Sequence, residues 1–279
     1  MEPIVLSLVL ISAICHAAWN ALTKNSNDPW SRMAIGLTTS SSISFFILFL
    51  VPAPSPESWP FILASACTHQ IYFTLVCLGY RLGDLSQVYS IQRGIAPILV
   101  TIGALFFAQE TLNPQGSLGI LIISLSIISL TLTKNWKLDN SYAIYCALVT
   151  GLMIATYTIF DGLGARLSGN VFGYISWLYV LDTIPFAFVV FYIRRNTIKE
   201  TLIREMRGGI IVGILGACAY ATSIWALTYA PMAYVSALRE TSVIIAAWLG
   251  CKLLKEPFGI KRIIAAIFIL VGVLILQTS

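Results

Sequence analysis

Two arginines sit in stretches that are otherwise built for lipid. Arg93 lies in the apolar run that opens Ser90-Ile91-Gln92-Arg93-Gly94 and ends at Gln109-Glu110, with Pro97 one helical turn further on. The layout recurs at a constant offset: Arg93 maps to Arg239, Glu110 to Glu256, Ser90 to Ser236, Phe107 to Leu253 and Ile123 to Ile269. A charge inside a spanning segment costs about 2.5–3.5 kcal/mol on insertion scales, so it faces a partner or a watery cavity. The planar donor fork of arginine suits a carboxylate or a phosphate. The competing reading is that Arg93 or Arg239 snorkels to the nearer interface or pairs with Glu240. That reading suits Arg239 better, and Arg93 is the stronger site residue because Pro97 opens the backbone beside it.

Other polar residues recur at helical spacing. His16, Trp19 and Asn20 share one face of the first apolar run, with Ser12 and Thr23 extending it. His69 shares a face with Ser65 and Tyr72; Tyr89 aligns with Arg93 and has Gln92 beside it; Ser236 aligns with Arg239 and Glu240. Asp182 lies mid-run between Tyr179 and Pro185. A carboxylate there needs a cation or a proton, and histidine exchanges protons near neutral pH. His16, His69, Asp182 and Glu240 are therefore the candidates for ion coupling. Trp19, Tyr72, Tyr157, Tyr220 and Trp225 could box an organic cation. The plainer alternatives are interhelical hydrogen bonds for the histidines and Asn20, and packing or an interfacial belt for the aromatics. Asp161 reads as solvated near a helix end, and Glu110 and Glu256 as favourable charges at helix N-termini.

The elements that position these residues follow from composition. Of 279 residues, 58% are hydrophobic and 10% charged, with a mean hydropathy of +0.85. A soluble domain carries roughly 25% charge, so the chain reads as an integral membrane protein. Cutting at the Pro, Asn, Gly and charge clusters leaves ten runs: 4–23, 31–51, 58–80, 86–107, 116–133, 141–163, 171–193, 209–229, 234–254 and 260–278. Lipid demands helices or closed barrels, and the runs are too long for barrel strands. The fold expected is all-α, with ten transmembrane helices in two inverted five-helix repeats, 1–138 and 139–279, around a central cavity. An odd number of helices duplicated in tandem inserts the second copy upside down.

The loops after odd-numbered helices hold nearly all the basic residues, among them Arg32, Arg81, Lys134, Lys137, Arg194, Lys255 and Arg262; the opposite side holds Arg166. Positive-inside reasoning puts those loops in the cytoplasm and both termini outside. The six cysteines read as free apolar thiols, with no zinc spacing among them. Gly209 and Gly213 form a GxxxG packing face. The +5 net charge is spread over short loops, which excludes a nucleic-acid face.

Glu110-Thr111-Leu112-Asn113-Pro114-Gln115-Gly116, followed by Gly119-Ile120-Leu121-Ile122, resembles the closing segment of the EamA repeat of the drug/metabolite transporter superfamily. Glu256-Pro257-Phe258-Gly259 and the run to Gly272-Val273 repeat it, and Ala18-Trp19-Asn20 through Lys24 is similar to the opening helix. The resemblance covers nearly the whole chain. It implies a secondary transporter or exchanger with a cavity lined by helices 1, 3, 4, 6, 8 and 9, and with both termini in the cytoplasm, against the loop charges. The His16-Ala17-Ala18-Trp19-Asn20 opening departs from the commoner Trp-Gly form and marks substrate-specific contacts.

The expectation is a carrier of a small polar metabolite, an amino-acid-like zwitterion or an organic amine, working by alternating access with a proton as candidate coupling ion. The substrate-binding residues expected are His16, Trp19, Asn20, His69, Tyr72, Tyr89, Gln92, Arg93, Tyr157, Tyr220, Trp225, Arg239 and Glu240. No catalytic residue, metal or cofactor is expected. Arg81-Leu82-Gly83-Asp84 brushes the GxGD protease pattern without its first glycine. The alternative function is a flippase for a lipid-linked or amphipathic molecule. The partners expected are the substrate and the bilayer of the plasma (inner) membrane, with the chain as monomer or homodimer.

Overall fold

Hydrocarbon offers the backbone no hydrogen-bond partners, and this chain answers with helix. The computed structural model describes residues 2–82, 85–130, 141–254 and 260–278, without the side chains of 85–87, 253 and 254. Lys134, Lys137, Lys255, Glu256 to Gly259, Gly83-Asp84 and the expected repeat boundary at 138/139 lie outside the described residues. The helices are α1 (Pro3–Lys24), α2 (Pro29–Ile47), α3 (Trp59–Leu82), α4 (Leu85–Phe107), α5 (Pro114–Ser129) and α6 (Ser141–Leu167). They continue with α7 (Val171–Ile193), α8 (Ile198–Leu227), α9 (Met232–Arg239), α10 (Ser242–Leu254) and α11 (Ile260–Gln277). Prolines open α1, α2 and α5, where the missing N–H costs nothing. Asn113 and Asn170 cap α5 and α7 by accepting from Gly116 N at 2.6 Å and Gly173 N at 2.9 Å.

Each of the ten apolar runs is represented, with three differences from the sequence reading. The ninth is two half-helices, α9 and α10, joined at Glu240-Thr241. There the backbone tightens to i→i−3 bonds: Glu240 N to Ala237 O and Thr241 N to Leu238 O, both 3.1 Å. Thr241 Oγ1 also donates to Leu238 O at 2.8 Å. The second difference is α8, whose 30 residues make a rod of about 45 Å, beyond the ~30 Å of a hydrocarbon core. Its charged first turns, expected as loop, continue the helix because Lys, Glu, Leu, Arg and Met all favour helix.

The third difference concerns α2 and α5, which fall outside the eight helical stretches long and apolar enough to span. α5 has 16 residues, about 24 Å. In α2 the hydroxyls of Thr38, Thr39, Ser40 and Ser42 bond back to carbonyls one turn earlier, which satisfies them within the helix. Packing against α7 and α8 shields this polar helix further.

The packing maps onto itself when the first five helices are exchanged for the last six. α1 lies along α8 as α6 lies along α3, α1 meets α9–α10 as α6 meets α4, and α2–α7 and α5–α11 pair across the centre. Directions are equally plain. Lys24 at the end of α1 donates to Tyr80 O near the end of α3, so these run together. Gly164 near the end of α6 lies against Phe61 at the start of α3, so α6 runs the other way. The second set of helices is inverted relative to the first.

α2 and α8 approach each other closely through glycines. A Cβ on Gly213 would collide with the carbonyl oxygen of Gly36, and one on Gly36 would stand 3.0 Å from Val212 Cγ1. Gly213→Val is expected to cost about 1–3 kcal/mol, read as a lower thermal midpoint of the purified protein. A wild-type midpoint would show that the two helices can part there without loss.

Ion pairs tie both ends. At the basic end, Arg32 Nε donates to Glu205 at 2.7 Å and Arg194 Nε to Asp28 at 2.9 Å. At the other end Arg166 pairs with Glu110 at 2.6 Å, and Glu110 also accepts the first amide of α9, Met232 N, at 2.8 Å. Glu110 thus serves α9 and Arg166, a correction to its reading as a charge for the following helix.

Burial would raise the Asp28 carboxyl, but hydrogen bonds from Arg194 and Ser31 outweigh it and hold it below its ordinary 3.8. A depressed carboxylate stabilises above its unfolded value, and that contribution is lost as pH falls through the folded one. The gap in thermal midpoint between wild type and Asp28→Asn should hold steady from about pH 5 to 8 and close below about pH 4. A gap that widens in acid would contradict this.

Candidate functional site

Between the two helix sets lies a cavity of about 60 Å³. One water needs roughly 10–15 Å³ by this measure, so the space suits a few waters or a small polar group. Seven helices contribute to it: α1, α2, α3, α6, α7, α8 and α9.

Of the expected residues, His16, Trp19, His69, Tyr72, Tyr157, Tyr220, Asp182 and Arg239 line this cavity. On α1, Trp19 Nε1 donates to His16 Nδ1 at 3.3 Å, so Nδ1 acts as an acceptor and the imidazole is neutral there. The two rings meet edge to face, 5.3 Å apart. On α3, His69 Nδ1 lies 3.2 Å from Asp182 Oδ2 of α7. The His69 ring is packed by Tyr157 at 4.3 Å, Tyr220 at 5.2 Å and Phe73 at 5.5 Å. Gln70 holds the Asp182 backbone, donating to its carbonyl at 2.9 Å. Asp182 Oδ1 has no hydrogen-bond partner.

The two arginines exchange the roles the sequence suggests. Arg93, 1% exposed, donates through Nε to Glu240 at 2.9 Å and is absent from the cavity wall. Arg239, 3% exposed, lines the cavity and has Nε and Nη2 without hydrogen-bond partners. Its guanidinium lies 5.9 Å from the centre of the Tyr220 ring. The tight turn at Glu240 separates the neighbours: Glu240 goes to α4 and Arg239 to the cavity.

The remaining expected residues stand outside the lining. Asn20 donates to His16 O at 2.8 Å and accepts from the Tyr80 hydroxyl. The Tyr89 hydroxyl meets Ser242 Oγ at 2.8 Å. Gln92, Arg93 and Glu240 are buried beside them. These residues form a polar layer on the basic side of the cavity. Trp225 packs on Tyr229 at 4.6 Å, away from the other aromatics, so the expected aromatic box lacks it.

A second polar layer lies toward the opposite end. Asp161 is 0% exposed, a correction to its reading as solvated. Its Oδ1 accepts from Tyr174 at 3.0 Å and its Oδ2 from Tyr220. Sequence reasoning missed the share of α2 altogether and, on α8, the glycines: Gly36, Ser40, Gly213 and Gly216 line the cavity, while α4, expected in its wall, contributes no lining residue among those described. The GxxxG face was legible as packing, but the space left beside a close glycine crossing was not.

The sequence signature of the EamA-like transporter family matches residues 141–278. A solved crystal structure, described only as that of a protein, superposes with a TM-score of 0.72 at 13% identity, covering 100% of this chain and 98% of its own. That is a likeness of fold. No curated protein matches the chain.

Proposed function

The chain belongs to the EamA-like transporter family, and on that premise we propose that it is a secondary transporter moving a small zwitterion or organic amine through this cavity by alternating access. One observation carries the choice of cargo: a buried arginine with two unpartnered nitrogens and a buried carboxylate with one unpartnered oxygen line the same space. Arg239 takes a carboxylate through its donor fork. Asp182 Oδ1 takes an ammonium, and the faces of Tyr72, Tyr157 and Tyr220 give it aromatic cover. A plain anion would leave Asp182 facing like charge, so it is excluded by repulsion.

The halves 1–138 and 139–279 serve as the units that rock about the cavity. The basic end faces the cytoplasm, by the charge rule. Cysteine labelling between residues 194 and 207 from outside the cell would reverse that orientation.

The test is ligand-dependent thermal stabilisation of the purified protein against amino acids, small amines and dicarboxylates. A ligand at a hundredfold its Kd adds about 2.7 kcal/mol of stability. Amino acids or amines should raise the midpoint and dicarboxylates should leave it alone. Stabilisation by dicarboxylates alone would contradict the reading. A flippase would instead respond to amphipathic compounds and to none of these.

A further inference from the structure

The buried charges of the cavity region do not balance, and the mismatch points to a specific guest. Arg93 and Glu240 neutralise each other across 2.9 Å. That leaves Arg239 as one cation against two carboxylates, Asp161 and Asp182, all of them at most 3% exposed. In a low-dielectric interior an uncompensated carboxylate is costly, so the set calls for one more positive charge. His16 does not supply it, because its Nδ1 accepts from Trp19. Asp161 receives two phenol hydroxyls, one on each oxygen, which is the environment of an ionised carboxylate. Among the described residues, a base and an acid stand within hydrogen-bond reach of each other in this space at His69 Nδ1 and Asp182 Oδ2, 3.2 Å apart.

We propose that the His69–Asp182 pair is a proton site, and that the carrier moves one proton together with each molecule of substrate. This rests on the transport reading above. The proton sits on His69 as an imidazolium held by Asp182 Oδ2. Asp182 Oδ1 stays open to the ammonium of a zwitterion while Arg239 takes its carboxylate. With the proton in place the cavity is neutral, and without it the cavity carries one negative charge in the middle of the hydrocarbon. A zwitterion adds no net charge, but it satisfies Arg239 Nε and Nη2 and Asp182 Oδ1, which the empty cavity leaves buried without partners. The form that turns over therefore carries both the proton and the zwitterion.

α1 presents His16 to the cavity, and Ser65 Oγ stands 3.4 Å from the Nδ1 of His69. Its own helix presents Tyr72, α6 presents Tyr157 and Asp161, and α7 presents Tyr179 and Asp182. Tyr220 comes from α8 and Arg239 from α9. From α2 the cavity receives Met33, Gly36, Leu37 and Ser40, none of them charged. The Arg93 of α4 is committed to Glu240.

The experiment uses the full chain in proteoliposomes with a radiolabelled mixture of α-amino acids and small amines. Exchange is first measured at equal pH on both sides, then accumulation of the α-amino acids, which carry no net charge, is measured with acid outside and the membrane potential clamped. One proton per substrate sets an accumulation limit of about tenfold per pH unit. The wild type should exchange, accumulate toward that limit and lose the accumulation on adding a protonophore. His69→Gln should lose the gradient response. The protonophore arm stands even if that variant fails to fold. Exchange that ignores the pH gradient, or a gradient response that survives in folded His69→Gln, overturns the proton site and leaves the transport reading in place. No exchange of any probe overturns the transport reading and the proton site with it.

Discussion

An Arg239→Gln variant is expected to fold normally and to lose about ten- to a hundredfold of its exchange rate in proteoliposomes. Hydrogen bonds to charged groups contribute roughly 1.5–3 kcal/mol each, and arginine binds a carboxylate with a two-pronged fork that glutamine lacks. Stability should fall only modestly. Two guanidinium nitrogens of Arg239 have no hydrogen-bond partner, so few hydrogen bonds are lost with them. Arg239 also offsets the buried Asp161 and Asp182, so its removal should lower the thermal midpoint, by less than breaking the Arg93–Glu240 pair. Wild-type exchange by this variant, measured as efflux of preloaded label, would take Arg239 out of the site.

Arg93 should behave in the opposite way. Arg93→Met or Glu240→Leu breaks a pair whose partners are each 1% exposed. Stranding either charge in the interior costs about 3–5 kcal/mol, enough to remove much of the folded protein. The double variant Arg93→Met/Glu240→Leu strands neither and should recover most of the midpoint. Paired charges at this depth are frequently no more stabilising than apolar replacements of similar size. Chemical or thermal unfolding of the two single variants and the double variant gives the coupling directly. Additive losses would mean that the two side chains do not depend on each other. Together the two experiments separate an arginine that binds cargo from one that locks α4 to the broken ninth span.

The contrast between those arginines marks the limit of what the sequence shows. The apolar runs, their number and the charge asymmetry of the loops were legible because lipid imposes a length and a composition on every crossing. The inversion was legible because an odd number of crossings leaves no other choice. Which arginine takes Glu240 was not, since Arg239 and Glu240 are neighbours in the chain. Their separation depends on the i→i−3 turn at Glu240-Thr241. Asp161 carried no local sign of burial, because Tyr174 and Tyr220 reach it from two other helices. The long α8 hid for a different reason: its first turns are too charged to look like a membrane segment, yet their residues favour helix wherever they sit. The cavity share of α2 was invisible because a run of Thr and Ser resembles a polar lining or a satisfied helix equally well.

The central claim is that a water-reachable cavity lies between two opposed helix sets, and that cargo occupies it. Ser40 lines this cavity and donates to Gly213 O at 2.9 Å, across the α2–α8 glycine crossing. The direct measurement is the reaction of a single cysteine at Ser40→Cys, in a chain cleared of its six native cysteines, with membrane-impermeant thiol reagents added from one side and then the other. Slow labelling from both sides is expected, suppressed by whichever amino acids or amines stabilise the protein. Labelling that no such compound suppresses, or a cysteine inert from both sides, would contradict it.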